Sequence, residues 1–532
     1  MKIISWGALM KREYKPFVPE QTNLPEFTFK AIVLGILMAI VLGAANAYLG
    51  LKAGMTISAA FPAAVIAVAA FRLPFFKGSI LEQNIARTTA SVGEALAAGA
   101  IFIIPAFVLV NLNGERLWET FRYWETSLIL LVGGLIGILF VILLRKTLVV
   151  DANLPFPEGW ACYEIVKTGQ KGESGARYVF GAMGIGVLIE FLKNYGAFPL
   201  FKETKEFFFK FPKSIIHHYN SSKQPLGDIG HEGGIGGSSP LASPALMSVG
   251  YIIGIKYSAV MMAGGFLAWL VFIPLALFLN PSFMDQLGVA GVTVSHGDMT
   301  YTAWKNLIQP IAVGAMLMGS FYTLWGLRGS LAKVFRSIFS KHHSMVGVKS
   351  RVDKDLNLRW IFVIAIGLMI PMYFIYNHFT HNPVSAIIAT IVMIITAFLF
   401  SAVGGWIVGF VGNSNQPLSG LTLSTLIIAA VVMLFFGVKG IPGIAAVIGV
   451  AAIVCCAAAM SGDMIQDLMI GRQIGATPWK MELAEIIGVI VLAFVIIFPI
   501  ILLHKGNILA GGMGIGGIEL PAPQAGLMAQ LA

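Results

Sequence analysis

The sequence predicts an all-α, polytopic integral membrane protein. It should have about 12–14 transmembrane helices, some broken or re-entrant, and an internal repeat. Three observations lead there. The 532 residues are 57% hydrophobic and only 12% charged, with a mean hydropathy of +0.82; soluble domains carry about twice that charge. Apolar runs of membrane-spanning length recur from residue 29 to residue 503. The net charge of +10 sits in loops, as cytoplasmic loops demand. No aromatic-interleaved basic patch occurs, so the charge implies no nucleic-acid partner. The expected surroundings are the lipid bilayer of the cell membrane.

Residues 1–28 read as a basic cytoplasmic tail without a signal-peptide core. Residues 29–503 read as the transmembrane domain, and 504–532 as a Gly/Pro-rich C-terminal segment. The first spans are expected near 29–50 and 56–73. Residues 79–112 begin polar and end apolar; at helical spacing Asn84, Arg87, Thr88, Ser91 and Glu94 share one face, opposite Ile85, Ala90, Ala97 and Ile101. A span near 127–144 precedes DANLPFPEGWACYEIVKTG, where Pro155 and Pro157 interrupt helix and Glu158 and Glu164 flank a short amphipathic piece. The glycines of GAMGIG, in a span near 177–193, follow no strand and so make helix contacts rather than a nucleotide loop.

Residues 194–240 form the longest polar stretch, expected to be loop; His231-Glu232 there lacks the second histidine of a zinc-protease helix. A half-helix is expected at 244–256. Further spans follow near 257–279, 306–327, 358–377, 383–411, 417–437, 441–460 and 481–503. The 328–359 loop holds eight Lys/Arg against two Asp and should be cytoplasmic; the 280–305 loop should be external. Cys162, Cys455 and Cys456 are expected to act as small residues in helix packing.

The chain is organised around NAYLGLKAGMTISAAFPAAVI, residues 46–66. It closes one apolar run, interrupts it with Tyr48, Lys52 and Gly54, and opens another at Thr56. Backbone that leaves a helix at membrane depth must find partners in protein or in a water-filled cavity. Residues 46–54 and 412–420 are therefore expected to be non-helical and to meet at one polar cavity. GMTIS (54–58) is echoed by GLTLS (420–424), and Gly93-Glu94 downstream of the first by Gly462-Asp463 downstream of the second. This suggests repeat halves of about 29–256 and 383–503. The crossing count favours an inverted repeat, and one span more or fewer would make it parallel. Paired broken segments are the best sequence pointer to a transporter site.

Six stretches in order carry a resemblance: residues 46–66 with ILEQNIARTTASVGEALAAGAIF, LPFPEGWACYEIVKTG, SPALMSVGYIIG, GNSNQPLSGLTLSTL, SGDMIQDLMIGRQIGATPWKMELAEIIG, and LPAPQAGLMA. Together they resemble the oligopeptide transporter (OPT) superfamily, in its prokaryotic and yellow-stripe-like branch. The resemblance implies secondary active import of small peptides, glutathione-like molecules or metal chelates by proton symport. It implies no cofactor and no protein metal site, because a chelator supplies its own metal's ligands. The family pattern continues with more membrane helices, so the resemblance also implies a truncated chain, a fragment or half of a split system.

A charged side chain at the bilayer centre costs about 2.5–3.5 kcal/mol on insertion scales, so such residues face a cavity or a partner. The nine histidines sit in loops or at span ends, which turns attention to carboxylates for proton coupling: Glu94, Asp463 and Asp467. The competing structural roles are a Glu94–Arg87 pair and an Asp463 or Asp467 pair with Arg472. Asn46, Tyr48, Asn413, Asn415 and Gln466 are candidate substrate-binding residues. Lys52 either pairs with a substrate carboxylate or snorkels to the interface. A channel would want rings of one residue type, and none is evident. A membrane hydrolase would want HExxH or GxSxG, and neither occurs.

Overall fold

The computed structural model describes residues 15–170 except 113 and 153, residues 176–193, parts of 200–325, and residues 350–532 except 518. Contacts divide the chain into two units, one formed by Met1–Val179 with Gly319–Ala532 and the other by Phe180–Met318.

In the first unit, α1 (Phe29–Ala53) ends at Gly54, whose φ of 71° is the left-handed cap that stops a helix. A non-helical joint then leads into α2 (Ala60–Ala70). Helix α3 (Ile80–Ile103) starts with a reciprocal capping box between Ser79 and Glu82. Helix α4 (Tyr123–Arg145) continues as π-helix to Asp151. After LPFP comes α5 (Pro157–Gln170). Helix α6 (Leu358–Thr380) precedes α7 (Pro383–Val411), which Asn382 caps and Pro383 starts. Gly412, with φ of 88°, ends α7. A second joint leads into α8 (Leu418–Phe435). There follow α9 (Gly440–Ile474), α10 (Pro478–Val495), α11 (Ile497–Leu509) and α12 (Pro523–Leu531).

The two central helices are α3 and α9. About nine-tenths of their apolar windows is buried (89% and 94%), against 22% for α6 at the periphery. All of α3 is buried, its polar and apolar faces alike, so the face carrying Asn84 to Glu94 is turned toward protein. Small residues allow the close packing. Gly93 lies so near α1 that a Cβ there would stand 2.1 Å from the Ala39 carbonyl oxygen. Cys456 packs on Gly99 and Gly133, as expected of a small packing residue. Gly93→Val should therefore separate α1 from α3. Size-exclusion profiles of a fluorescent fusion should show loss of the monodisperse peak, and an unchanged peak would contradict this packing.

Helix directions follow from these contacts. Gly35 meets Thr89 and Gly50 meets Ile101, so α1 runs parallel to α3. Gly404 meets Ala458 and Gly405 meets Ser461, so α7 runs parallel to α9. Gly99 meets Cys456 while Ser91 bonds Asp467, so α3 and α9 are antiparallel. By the same test α4 runs with α9 and α10 runs with α3.

Several expectations need correction. The span expected at 56–73 is an 11-residue helix, α2, about 16 Å long and too short to cross a bilayer. The break after α1 starts at Gly54, so Asn46 to Lys52 are helical. The second break covers 412–417, and GLTLS lies within α8. Helix α9 runs fourteen residues past the expected end at 460, to Ile474; Ser461, Asp463, Gln466 and Asp467 of that extension are buried in protein. Among the described residues nine helices are long and apolar enough to cross a membrane. The half-helix at 244–256, the 280–305 loop, much of 306–327, residues 328–349 and the first fourteen residues lie largely or wholly outside the described residues.

In the second unit, the stretch expected to be loop contains strands. Glu206–Lys210 pairs antiparallel with Gly234–Ser238, and Ser214–Tyr219 with Pro225–His231. Phe207, Phe208, Phe209, Ile215 and Ile216 supply the strand propensity that its charges and glycines obscured. Its other packed part is a small core of Ile273, Leu277, Ala303 and Ile308.

Candidate functional site

The two joints meet. Gly54, Met55 and Thr56 of the first, and Asn413, Ser414 and Gln416 of the second, line a cavity of about 180 Å³ together with Glu94 and residues of α3, α8 and α9.

Each joint is held by side chains. Asn46 braces the first: its Nδ2 donates to the Ile57 carbonyl at 3.1 Å and its Oδ1 accepts from the Ile57 N–H at 2.8 Å. Glu94 accepts from the Ala59 N–H just ahead of α2. In the second joint, the Asn413 N–H donates to Gln466 Oε1 at 3.1 Å. The Asn413 amide also donates to Asp463 Oδ1 at 3.2 Å and to Glu94 Oε1 at 3.4 Å. One amide thus links an acid of α3 to an acid of α9.

Beneath this bridge lies a buried ion pair. Arg87 Nη1 bonds Asp467 Oδ1, and both side chains are wholly buried. Arg87 Nη2 donates to Asn84 and Thr88, and Ser91 donates to the second Asp467 oxygen at 2.8 Å. Arg87 therefore pairs with Asp467 and not with Glu94. Arg472 Nη1 donates to the Val149 carbonyl at 2.8 Å.

Of the nine residues singled out from sequence, Glu94, Asp463, Gln466 and Asn413 come together at the joints, with Asp467 one turn below. Asn46 is nearby, but its amide is committed to the joint backbone. Tyr48 is an exposed residue of α1, Lys52 Nζ lies 5.9 Å from the Tyr48 ring centre, and neither lines the cavity. Asn415 turns its amide to the Val411 carbonyl and caps α7 locally.

A family model described as OPT oligopeptide transporter protein matches residues 26–532. The chain belongs to the OPT oligopeptide transporter family. A Haemophilus influenzae protein named "Putative oligopeptide transporter" is 30% identical over 506 residues, covering 90% of this chain and 74% of that one. Membership makes the chain a polytopic membrane transporter by family rather than an enzyme.

Sequence reasoning left other residues of the candidate site without a role. Glu158 Oε2 accepts the Ser414 N–H at 3.2 Å, so α5 closes the second joint. At the first joint Gln524 of α12 stands in the corresponding place, donating to the Gly54 carbonyl at 3.4 Å. The signal was available: LPFPEG and LPAPQAG share a frame. Phe156 and Ala522, the central residues of the two frames, both have φ of 41°. The Phe156 N–H donates to Gly409 and the Ala522 N–H to Leu51, each acceptor three residues before the glycine that ends its helix. Gly54 and Gly412 combine left-handed φ with crowding, since a Cβ would come 2.6 Å from Pro523 Cγ at one and 2.3 Å from Glu158 Cδ at the other.

Proposed function

We propose that this chain is a secondary active transporter importing small oligopeptides, or peptide-like and metal-chelate substrates, by proton symport across the cell membrane. The observation carrying it is the Asn413 amide held between Glu94 and Asp463 where the joints meet. Ionised, these acids accept from Asn413 and from the start of α2. Protonated, a carboxyl gives up part of its acceptor capacity, and the joint is released. Proton binding and joint geometry are then linked, and linkage makes the coupling reciprocal with substrate binding.

The joints supply the substrate's contacts. Backbone N–H groups at the starts of α2 and α8, with Thr56, Asn413, Ser414 and Gln416, suit peptide amides and a terminal carboxylate. A cavity of about 180 Å³ is smaller than the roughly 300–1,000 Å³ of small-molecule sites, so a peptide is admitted only when the joints open.

We further assign residues of α1–α5 and of α7–α10 with α12 to two inverted repeats. Supporting this, α1 and α3 run opposite to α7 and α9, α4 packs on α9 as α10 packs on α3, and the LPFP and LPAP frames make matching bonds. A twofold axis in the membrane plane relates such halves and permits alternating access by rocking.

The test is uptake into proteoliposomes of a mixed library of tri- to pentapeptides, read by mass spectrometry. Accumulation above the external concentration under an inward proton gradient is expected. Equilibration alone, indifferent to the gradient, would sink the symport reading.

Orientation follows from the basic segments. Arg351 bonds the Pro19 and Glu20 carbonyls, so the N-terminal segment and the end of the 328–359 loop share one face. The positive-inside rule makes that face cytoplasmic. An Asp353→Cys variant in intact cells should resist a membrane-impermeant maleimide and react after permeabilisation; labelling in intact cells would reverse the topology.

A further inference from the structure

One buried acid takes no part in the joint contacts. Glu485, on α10, is wholly buried, and neither carboxyl oxygen has a hydrogen-bond partner among the described residues. Its charged neighbours are Asp467 and Asp463 on α9, Arg87 on α3, and Glu482 one turn away on its own helix. Helices α1, α4 and α11 also pack on α10. Helix α4 brings Arg145, which pairs with Asp355 beside Glu482; its Glu125 is at the other end, paired with Arg122. Helix α1 carries charge only at Lys30 and Lys52, and α11 only His504 and Lys505, near its far end.

An ionised carboxylate buried without donors costs several kcal/mol, and an apolar side chain of similar size would remove that cost. A buried acid left unsatisfied needs an explanation. Charge balance sharpens the point. Arg87 offsets one carboxylate, yet Asp467, Asp463 and Glu485 all face it. In a water-poor interior the remaining acids are accommodated as neutral, proton-bearing groups. Arg87 Nε also lacks a partner and is available to a passing negative charge.

Position completes the argument. Glu482 and Glu485 lie four and seven residues past Pro478, about 6 and 10 Å along α10 from the face that carries the 350–357 segment. Glu482 accepts the Leu356 N–H at 2.8 Å, and the neighbouring Asp355 is 16% exposed at that face. On the other side, Asp467 sits one turn along α9 from Asp463, which accepts from the cavity-lining Asn413. The acids form a series from cavity to face.

We propose that Glu485 and Glu482 are a proton relay connecting the central acids Asp463 and Asp467 to Asp355 at the face that carries residues 350–357. Neutral Glu485 gives its proton to a Glu482 carboxylate, Glu482 to Asp355, and Asp355 to bulk water; the Glu485 carboxylate is then reprotonated from Asp463 by way of Asp467, which takes the Asp463 proton as it passes its own on. Each transfer breaks one O–H bond, forms another and leaves the total charge unchanged. Arg87 stabilises the charge while it rests on Glu485. The relay rests on the symport reading above and names its exit path.

The test uses Glu485→Gln, Glu485→Asp and Glu485→Leu in the full chain, with the tri- to pentapeptide library as probe. Infrared spectra of the wild type should contain the C=O stretch of a protonated carboxyl free of hydrogen bonds, and Glu485→Gln should lack it. Gradient-driven uptake by Glu485→Gln should fall by about a hundredfold, in the range for loss of a proton-transfer group, while peptide counterflow at equal pH persists. Wild-type uptake driven by the gradient and retained in Glu485→Gln would overturn the relay and leave symport standing. A wild type indifferent to the gradient fails the symport reading instead. Should Glu485→Gln not purify in folded form, Glu485→Asp must retain gradient-driven uptake that Glu485→Leu loses; equal uptake by those two overturns the proposal.

Discussion

Proteoliposomes carrying Glu94→Gln should lose peptide accumulation under a proton gradient, by about two orders of magnitude, and keep peptide exchange at equal pH. The glutamine is nearly isosteric. Its carbonyl oxygen can still accept the Ala59 N–H, so the anchor of α2 survives while the titrating proton is removed. The second oxygen, which accepts from Asn413 at 3.4 Å, becomes a donor amide, so retained exchange at equal pH is the readout that separates a lost proton from a lost hydrogen bond. Asp463→Asn tests the other acid held by Asn413 and should behave alike if the two share the driving proton. Gradient-driven uptake at wild-type rates in both variants, in protein shown to be active, would dismiss these acids from coupling.

Arg87→Met should cost about 3–5 kcal/mol, because it strands Asp467 as an unpaired buried charge. Thermal unfolding in detergent should show the loss as a lowered midpoint. Adding Asp467→Asn removes the stranded charge, and the double variant should regain most of the stability. A double-mutant cycle isolates the coupling, and simple additivity would mean the pair contributes nothing. The same geometry predicts that Arg87→Gln does not rescue Glu94→Gln. Those two residues share a helix face, as their spacing suggested, but Arg87 turns its guanidinium to α9.

Much of the architecture was legible in the chain. Apolar length identifies spans because lipid cannot satisfy backbone polar groups, and a polar break inside such a run demands a protein-lined cavity. That logic located both joints to within a few residues and singled out Asn413, Glu94 and Asp463. It missed Glu485 and Glu482, which stand in MELAEIIG at the start of an apolar run, where carboxylates usually meet water at a helix end. Only the packing of α10 on α3 and α9 encloses them. It also assigned Asn46 to substrate, since an asparagine before a break offers the same groups to a ligand as to the loop that follows.

Composition and periodicity are properties of the chain, and they establish a polytopic helical membrane protein with two interrupted spans. Partner choice is a property of space. Arg87 shares its helix with Glu82 and Glu94, and the approach of α9, permitted by Gly99 against Cys456, decided for Asp467. LPFP and LPAP could be read as turns anywhere; the bonds of Phe156 to Gly409 and Ala522 to Leu51 set each against a helix end more than two hundred residues away in the chain. Sequence spacing constrains neighbours along one helix, where the rise and turn are fixed. Contacts between helices depend on which small residues meet, and only the folded arrangement determines that.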